Sequence, residues 1–355
     1  MSLGPIAPPV GGVGAAGTSS ALGTPLQTAT PQAAIAPQAL ASPLQAALDD
    51  LLMQALPAQD SLAPLLADLT AVAGDPALPA PAQATAQKIL AAQTPLDGAV
   101  TGQSLREAVG ASGLFLEAGL GAALQGAAPN LATDLKGLLL QLIEQLSPEI
   151  EAAAADAAAA PPTSARRSGT ASTARPAPPA RDGATGAEPA AVSDLSPDVG
   201  PAALIHALRQ DAQAALARLQ LSQMASLPKP GAAPQWRFDL PVTAPEGRAM
   251  AQFRVSRDER RPGAPQDAPP TWRARFSLDV KPLGPVHAEV VMSGERTRVT
   301  LWGERDAGLA SLAASQDELT ADLAQTPGAD AAVRVLPGAP AAPAVEAGRL
   351  LNRTS

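Results

Sequence analysis

Apolar and polar side chains alternate along several short runs in the last third of the chain. In the first run, Trp236, Phe238 and Leu240 alternate with Arg237 and Asp239. A period of two residues is typical of half-buried β-strands, because successive side chains point to opposite faces of a sheet. Runs of this kind predict strands at 236–242, 253–255, 272–280, 286–292, 299–301 and 331–335.

The apolar spacing changes to that of a helix between the last two predicted strands. Leucines at 309, 312, 319 and 323 predict one helix, with Asp306 as its N-cap. Strands followed by one helix and one strand predict an α+β fold, in which the helix covers one face of an antiparallel or mixed sheet. We expect a small two-layer sandwich over 236–337, whose core contains Trp236, Phe238, Leu240, Phe253, Trp272, Phe276, Leu278, Leu301, Leu312 and Leu319.

Upstream of this domain, residues 49–151 are rich in Leu and Ala and carry helical spacing interrupted by prolines. The clearest stripe is Leu135, Leu138, Leu139, Leu142, Ile143 and Leu146, which we expect to end at Pro148. Two interpretations stay open for this region. Its helices form either a loose bundle or separate segments that fold only against a partner.

The remaining segments have the composition of unstructured chain. Residues 1–48 carry no charged side chain and many Pro, Gly, Ala, Thr and Gln residues, which predicts disorder. Residues 152–235 are rich in Pro, Ala and Gly, which predicts a linker, with one short helix near 201–221. We expect a flexible tail at 338–355. The domain is thus preceded by a long, largely disordered, partly helical N-terminal region.

Composition narrows the classes of function. The chain has 355 residues, 38 Pro, 29 Gly, no Cys and a net charge of −8. Without Cys, disulfides and thiolate zinc sites are excluded. The acidic balance argues against nucleic-acid binding, and no apolar run reaches the length of a membrane span, so we expect no stable membrane insertion. No Lys or Arg precedes Lys88, so the basic start of a secretory signal peptide is missing. We expect a monomer.

Candidate catalytic chemistry is scarce. The two histidines, His206 and His287, lie at positions where we expect surface side chains, and no nucleophile, metal or nucleotide motif accompanies them. The sequence therefore predicts no enzyme, no cofactor and no metal. Arginines are concentrated on the first strands and the loop after them, where they form either a basic face for an acidic protein or ordinary surface charge: Arg237, Arg248, Arg254, Arg257, Arg260, Arg261, Arg273 and Arg275.

Three consecutive segments of the strand region resemble the C-terminal domain of flagellar hook-length control proteins. They are Trp272–Leu278, Leu283–Val290 with its Leu-Gly-Pro-Val step, and Val299–Trp302 with its Leu-Trp ending. The similarity extends over about 236–336. A weaker similarity to some members of the family lies upstream, at Ser112–Ala118.

The resemblance implies a function that composition does not. Members of this family pass from the cytoplasm through the flagellar type III apparatus, with an N-terminal export region, and measure hook length. Their C-terminal domain acts on the cytoplasmic domain of the export-gate switch protein, which changes the exported substrates from rod and hook subunits to filament-type subunits. Hook and hook-cap subunits are further possible partners.

By the same resemblance, Leu283, Gly284, Pro285, Val286 and Trp302 are the candidate partner-binding residues. The turn at 283–286 also has a simpler interpretation, because Gly and Pro form turns in many folds. A secreted structural or adhesive protein, with the Pro/Ala-rich region as a stalk, is the alternative function.

Overall fold

The structure is a computed structural model that describes residues 43–96, 100–126, 131–157, 175–196, 199–244, 247–258, 269–325 and 330–341. Most of the segment predicted as disordered, 1–48, and most of the predicted tail, 338–355, lie outside the described residues. The chain divides into two units, Met1–Pro43 and Leu44–Ser355. All contacts reported below lie within the second unit.

In the described part of the chain, seven strands form one mixed sheet in the order in which they occur in the sequence. They are β1 Thr94–Pro95, β2 Gln235–Ala244, β3 Gly247–Arg257, β4 Thr271–Val280, β5 Gly284–Ser293, β6 Arg296–Gly303 and β7 Asp330–Pro337. Strands β2 to β6 are antiparallel, whereas β1 and β7 pair in parallel with β2 and β6. The predicted α+β fold is confirmed. The sheet is larger than predicted, because β1 joins it from far upstream.

The pairing register separates the sheet into two chemically different faces. Trp236 pairs with Val255, and Phe238 pairs with Phe253, which in turn pairs with Phe276. We call this side the aromatic face. On it, the ring planes of Phe238, Phe253 and Phe276 stack in sequence with centroids 5.1 and 5.2 Å apart. The opposite side, the polar face, carries alternate residues such as Arg237, Asp239, Gln252, Ser277 and His287.

The predicted core residues lie on the aromatic face or above it, with unequal burial. Phe238 and Leu240 are buried. The others are half-buried: Trp236, Phe253, Trp272, Phe276, Leu278, Leu301, Leu312 and Leu319. The aromatic side chains therefore line the sheet as predicted, but most keep part of their surface exposed.

Nine α-helices occur among the described residues. They are α1 Pro43–Ala58, α2 Ala63–Ala71, α3 Ala80–Ala91, α4 Gly102–Gly110, α5 Leu116–Ala123, α6 Leu135–Ala157, α7 Pro201–Ser226, α8 Asp306–Ala314 and α9 Gln316–Ala324. A short 3-10 helix, Leu131–Thr133, precedes α6. Helix α6 passes through Pro148, where we expected its end. The alanine-rich sequence that follows has a strong helix propensity and continues the helix.

A second, larger core lies among the upstream helices. Leu69 of α2, Ile89 of α3, Leu142 of α6 and Leu208 of α7 are fully buried in it, and Met250 of β3 joins them from the polar face. The helix predicted near 201–221 is present as α7, which extends to Ser226 and is central to this core. Its leucines pack against α6, and this burial could not be predicted from the composition of the surrounding segment.

The segment 112–118 attaches the helices to the aromatic face. Leu114 packs against Phe238 and Leu240. Lys136 of α6 donates hydrogen bonds to Glu117 and, over 2.7 Å, to Gln223 of α7. The upstream similarity noted at 112–118 thus falls on residues that join three parts of the fold.

Helices α8 and α9 cover the other end of the aromatic face. The sequence predicted one helix with Asp306 as its N-cap. Instead, Arg305 is the N-cap and the helix is interrupted at Ser315. Helix α8 packs on β5, β6 and β7, whereas α9 packs on β7, where Gln316 donates a hydrogen bond to the Val333 carbonyl at 3.2 Å.

We predict that the helical core carries a large share of the stability. Replacing Leu208, which is fully buried, by Ala should lower the free energy of unfolding by about 2–5 kcal/mol, because it leaves a cavity among packed leucines. Urea denaturation followed by circular dichroism measures this. Leu124→Ala is the matched control: Leu124 is 91% exposed and its loss should cost less than about 0.5 kcal/mol. Equal losses would contradict the prediction.

Candidate functional site

The turn at 283–286 is the feature that the sequence singled out, and it lies where α8 begins. Gly284 has a φ of +77°, a conformation that side chains disfavour. A Cβ atom at Gly284 would also overlap the side chain of Arg305. A residue other than glycine would therefore strain the backbone and displace the side chain of Arg305.

A second glycine brings α8 onto this turn. A Cβ atom at Gly308 would lie 2.5 Å from the carbonyl oxygen of Leu283, which is too close for any side chain. Beside this contact, the backbone N–H of Glu304 donates to the Pro285 carbonyl at 3.1 Å. The turn is therefore a seat for the first turn of α8.

The five predicted partner-binding residues occupy different environments. Val286 and Gly284 are buried, and Leu283 is half-buried against α8. Pro285 and Trp302 are half-buried and belong to the polar face. Trp302 lies between His287 and Leu336 in the pairing register, on the side opposite Leu301, as its phase predicted. Partner binding by these residues stays a prediction.

Residues 175–188, which we call the strap, cross the polar face of β2, β3 and β4. The guanidinium of Arg237, which is 5% exposed, donates hydrogen bonds to the carbonyls of Ala180, Gly183 and Ala184 at 2.6–2.9 Å. Burial lowers the pKa of Arg237 to about 10, so the group remains charged at neutral pH. Sequence reasoning missed the strap, because it has neither helical nor strand periodicity.

A row of polar side chains lies beneath the strap. The Ser277 hydroxyl is 2.7 Å from His287 Nδ1, and His287 Nε2 is 2.8 Å from Glu304 Oε1. Thr185 of the strap is 2.8 Å from the same Ser277 hydroxyl. The expectation of a surface His287 is therefore wrong, because the strap covers this part of the polar face. His206, on α7, is exposed as expected.

Hydrolases use a serine, a histidine and a carboxylate in a row for nucleophilic catalysis. In this protein, a substrate cannot reach the serine of the row. Ser277 is 0% exposed, and its hydroxyl is enclosed between Thr185 and His287. A substrate carbonyl would have to displace the strap to reach it. The row instead anchors the strap to the sheet.

The predicted arginine cluster separates into groups with different roles. Arg237 and Arg254 bind strap carbonyls. Arg273 forms ion pairs with Asp258 and Glu289, which raise the pKa of Arg273, and Arg275 also pairs with Glu289. Arg248 and Arg257 are exposed, and residues 260 and 261 lie outside the described residues. The described arginines of this cluster do not form one continuous basic face.

Other features of the described residues add no reactive centre. One cavity of about 240 Å³ lies between α2, residues 190–192 and the adjoining ends of β3 and β4, with Arg248 and Lys281 at its lining. Within the described ranges, no three His, Asp or Glu side chains converge in a way that would hold a metal ion. None of the described helices combines the length and apolarity that a membrane crossing requires.

Glu188 of the strap has a strongly perturbed carboxyl group. Burial raises its pKa to about 7, although a hydrogen bond from Ser61 acts in the opposite direction and Asp239 adds to the rise. Its Oε2 atom is buried without a hydrogen-bond partner among the described residues. The charged form of Glu188 is therefore disfavoured in the folded protein.

We predict that the contact between Gly308 and Leu283 tolerates no side chain. Gly308→Ala should destabilise the protein by about 1–3 kcal/mol, because the added methyl group meets a backbone carbonyl that cannot rotate away. Thermal unfolding of the purified chain measures this. Gly110→Ala is the control, since a Cβ atom at Gly110 meets no atom within 4 Å, and it should not lower the melting temperature. A Gly308→Ala variant as stable as the parent would contradict the close packing of α8 on the 283–286 turn.

Glu188 generates a prediction about pH. Its folded pKa of about 7 lies above the ordinary value of 4.5, so the stability that the protonated group contributes is lost as pH rises from about 5 through 7. Glu188→Gln removes this loss. Because the side chain is only half-buried, we expect the parent to lose about 1 kcal/mol of its free energy of unfolding over this pH range. The difference in melting temperature between the variant and the parent should therefore be about 2–4 °C larger, in favour of the variant, at pH 8 than at pH 5. A gain that is the same at both pH values would contradict the prediction.

Comparison with known proteins identifies the C-terminal part of the chain. No curated protein and no solved structure matches the chain significantly. Residues 260–337 match the family model described as flagellar hook-length control protein FliK. The match covers β4 to β7 with α8 and α9, and it includes the 283–286 turn and Trp302, whereas β2 and β3 precede it. It supports a role in flagellar hook-length control, and over residues 260–337 it confirms the resemblance to the flagellar hook-length control family.

Proposed function

We propose that this chain is exported through the flagellar type III apparatus, measures hook length and triggers the switch of export specificity. Its C-terminal domain contacts the cytoplasmic domain of the export-gate switch protein, and the exported substrates then change from rod and hook subunits to filament-type subunits. Hook and hook-cap subunits are possible contacts during transit. The family match over 260–337 is the observation that carries this proposal.

The fold is compatible with passage through a narrow channel. The chain has no Cys, so no disulfide must be reduced before it is threaded. Unfolding must nevertheless separate the helical core from the sheet, because Met250 and Leu114 join the two. We infer that transit requires a chain that has not yet folded or an apparatus that unfolds it.

The same fold limits the length that the chain can measure. About 235 residues before the C-terminal domain would span on the order of 800 Å if fully extended. A helix rises only about 1.5 Å per residue, so α1 to α7 would shorten this reach wherever they persist in the channel. The measured length therefore depends on how much of the helical core is unfolded during transit.

The alternative of a secreted protein with a Pro/Ala-rich stalk has less support. Residues 175–188 of the predicted stalk pack along the sheet, and Arg218 of α7 donates to the Ala177 carbonyl at 3.0 Å. The structure thus offers no observation in favour of a stalk over this segment.

A deletion strain complemented in two ways tests the proposal. Cells that lack the chain should form overlong hooks without filaments, and the full chain should restore hook length and filaments. A chain without residues 158–174 should restore filaments with hooks shorter by at most about 60 Å. This deletion removes no residue of the strap, and electron microscopy of isolated hooks measures the lengths.

The two arms contradict different parts of the proposal. Normal hooks and filaments in the deletion strain would refute the function as a whole. An unchanged mean hook length with the shortened chain would refute length measurement by this segment and leave the switch standing.

A further inference from the structure

The strap leaves one end of the polar face uncovered. It contacts β2, β3 and β4 and reaches β5 through the row of Ser277 and His287. Beyond it, β6 and β7 present Arg298, Trp302, Arg334 and Leu336, which we call the β6–β7 patch. Arg298 and Arg334 are exposed, Leu336 is 40% exposed, and Trp302 is half-buried.

The pairing register fixes the layout of this patch. Trp302 lies opposite Leu336, so the two apolar side chains stand side by side on neighbouring strands. Arg334 lies opposite Thr300, one step along, and Arg298 lies opposite Ala332, one step further. Same-face positions on a strand are about 7 Å apart. The Cα atoms of Arg334 and Arg298 therefore follow the apolar pair at about 7 and about 13 Å.

The charges of the patch are not neutralised within the described part of the chain. Arg273 and Arg275 pair with Asp258 and Glu289, and Arg296 lies 3.7 Å from Asp330. Glu304, next to the patch, is bound to His287. Arg298 and Arg334 have no carboxylate within ion-pair distance among these residues. A chain with a net charge of −8 thus exposes two uncompensated cations beside a tryptophan.

We propose that the β6–β7 patch binds an acidic segment of a partner protein. An apolar side chain of that segment packs against Trp302 and Leu336, and two carboxylates that follow it pair with Arg334 and Arg298. Tryptophan and arginine are the residues most often found at the energetic centre of protein interfaces. The inference rests on the proposed function, because it names the surface through which the C-terminal domain contacts its partner.

The chemistry of the patch favours a protein over a nucleic acid. Binding of a single strand requires several cations along a groove, with aromatic rings on which successive bases stack. The patch offers two uncompensated cations and one ring, and Glu304 and Asp330 lie at its ends. The other candidate residues of the turn, Leu283, Gly284 and Val286, hold α8 and leave little surface for a partner.

Fluorine NMR of the full chain labelled with 5-fluorotryptophan tests the binding. The chain has three Trp, and the Trp302 signal is assigned by Trp302→Phe. The probe is a synthetic peptide in which Leu is followed by Glu at the second and fourth positions after it. We expect this peptide to shift the Trp302 signal, and the same peptide with Gln in place of Glu to bind at least tenfold more weakly.

Two double variants of equal charge locate the site. Arg298→Glu with Arg334→Glu should weaken peptide binding at least tenfold. Arg248→Glu with Arg257→Glu, two exposed strand positions outside the patch, should leave it unchanged. An unmoved Trp302 signal at millimolar peptide, equal binding of the two peptides or equal effects of the two double variants would overturn the proposal. A comparable Trp302 shift with single-stranded DNA would overturn the assignment to a protein partner.

The same variants separate this inference from the proposed function in cells. In the deletion strain, the variant with Arg298→Glu and Arg334→Glu should leave overlong hooks without filaments, whereas the Arg248→Glu and Arg257→Glu variant should restore both. Melting temperatures within about 2 °C of the parent show that each variant is folded. Full restoration by the patch variant would overturn the inference alone, whereas normal hooks in the uncomplemented strain would overturn the proposed function.

Discussion

The contact on which the rest of this structure depends is that between the buried Arg237 guanidinium and three carbonyl groups of the strap. The guanidinium is 5% exposed, and a buried charged group is tolerated only where its N–H donors are hydrogen-bonded. The strap carbonyls, in turn, give up hydrogen bonds to water on the sheet and accept hydrogen bonds from Arg237 in their place. The Arg237 guanidinium and the strap carbonyls therefore depend on each other as hydrogen-bond partners. These hydrogen bonds hold the strap on the polar face of the sheet, where Arg237, Gln252 and Ser277 are buried.

Arg218 extends the same principle to the helices. Its side chain is 4% exposed and bonds to Asp239 of β2 at 2.6 Å and to Gln59, after α1, at 3.1 Å. It also binds the strap at Ala177. One arginine on α7 therefore connects the sheet, the strap and the start of the helical region. The residues that match the hook-length control family, 260–337, are thus held in a fold that reaches well upstream of them.

Close backbone contacts organise the other end of the sheet. The Leu-Gly-Pro-Val step is a predicted partner site, and in the structure Gly284 and Gly308 allow α8 to approach this turn. With α8 seated on the aromatic face, Trp302 and Leu336 remain on the opposite side. The Leu-Gly-Pro-Val turn therefore contributes to the β6–β7 patch indirectly, because it positions the end of the sheet on which the patch lies.

The sequence by itself determined the strands, the aromatic face and the α+β class, because alternation is a local property of the chain. It also determined the side of β6 to which Trp302 belongs and, through its motifs, the similarity to the hook-length control family. It predicted a surface His287, which was wrong, and it predicted a helix near 201–221, which is present but longer and buried in the helical core. Only the tertiary structure decided which polar positions meet water, since the strap and α7 that cover β2 to β4 come from segments without strand periodicity. Periodicity shows to which face of the sheet a side chain points. Whether that face is covered depends on residues far away along the chain.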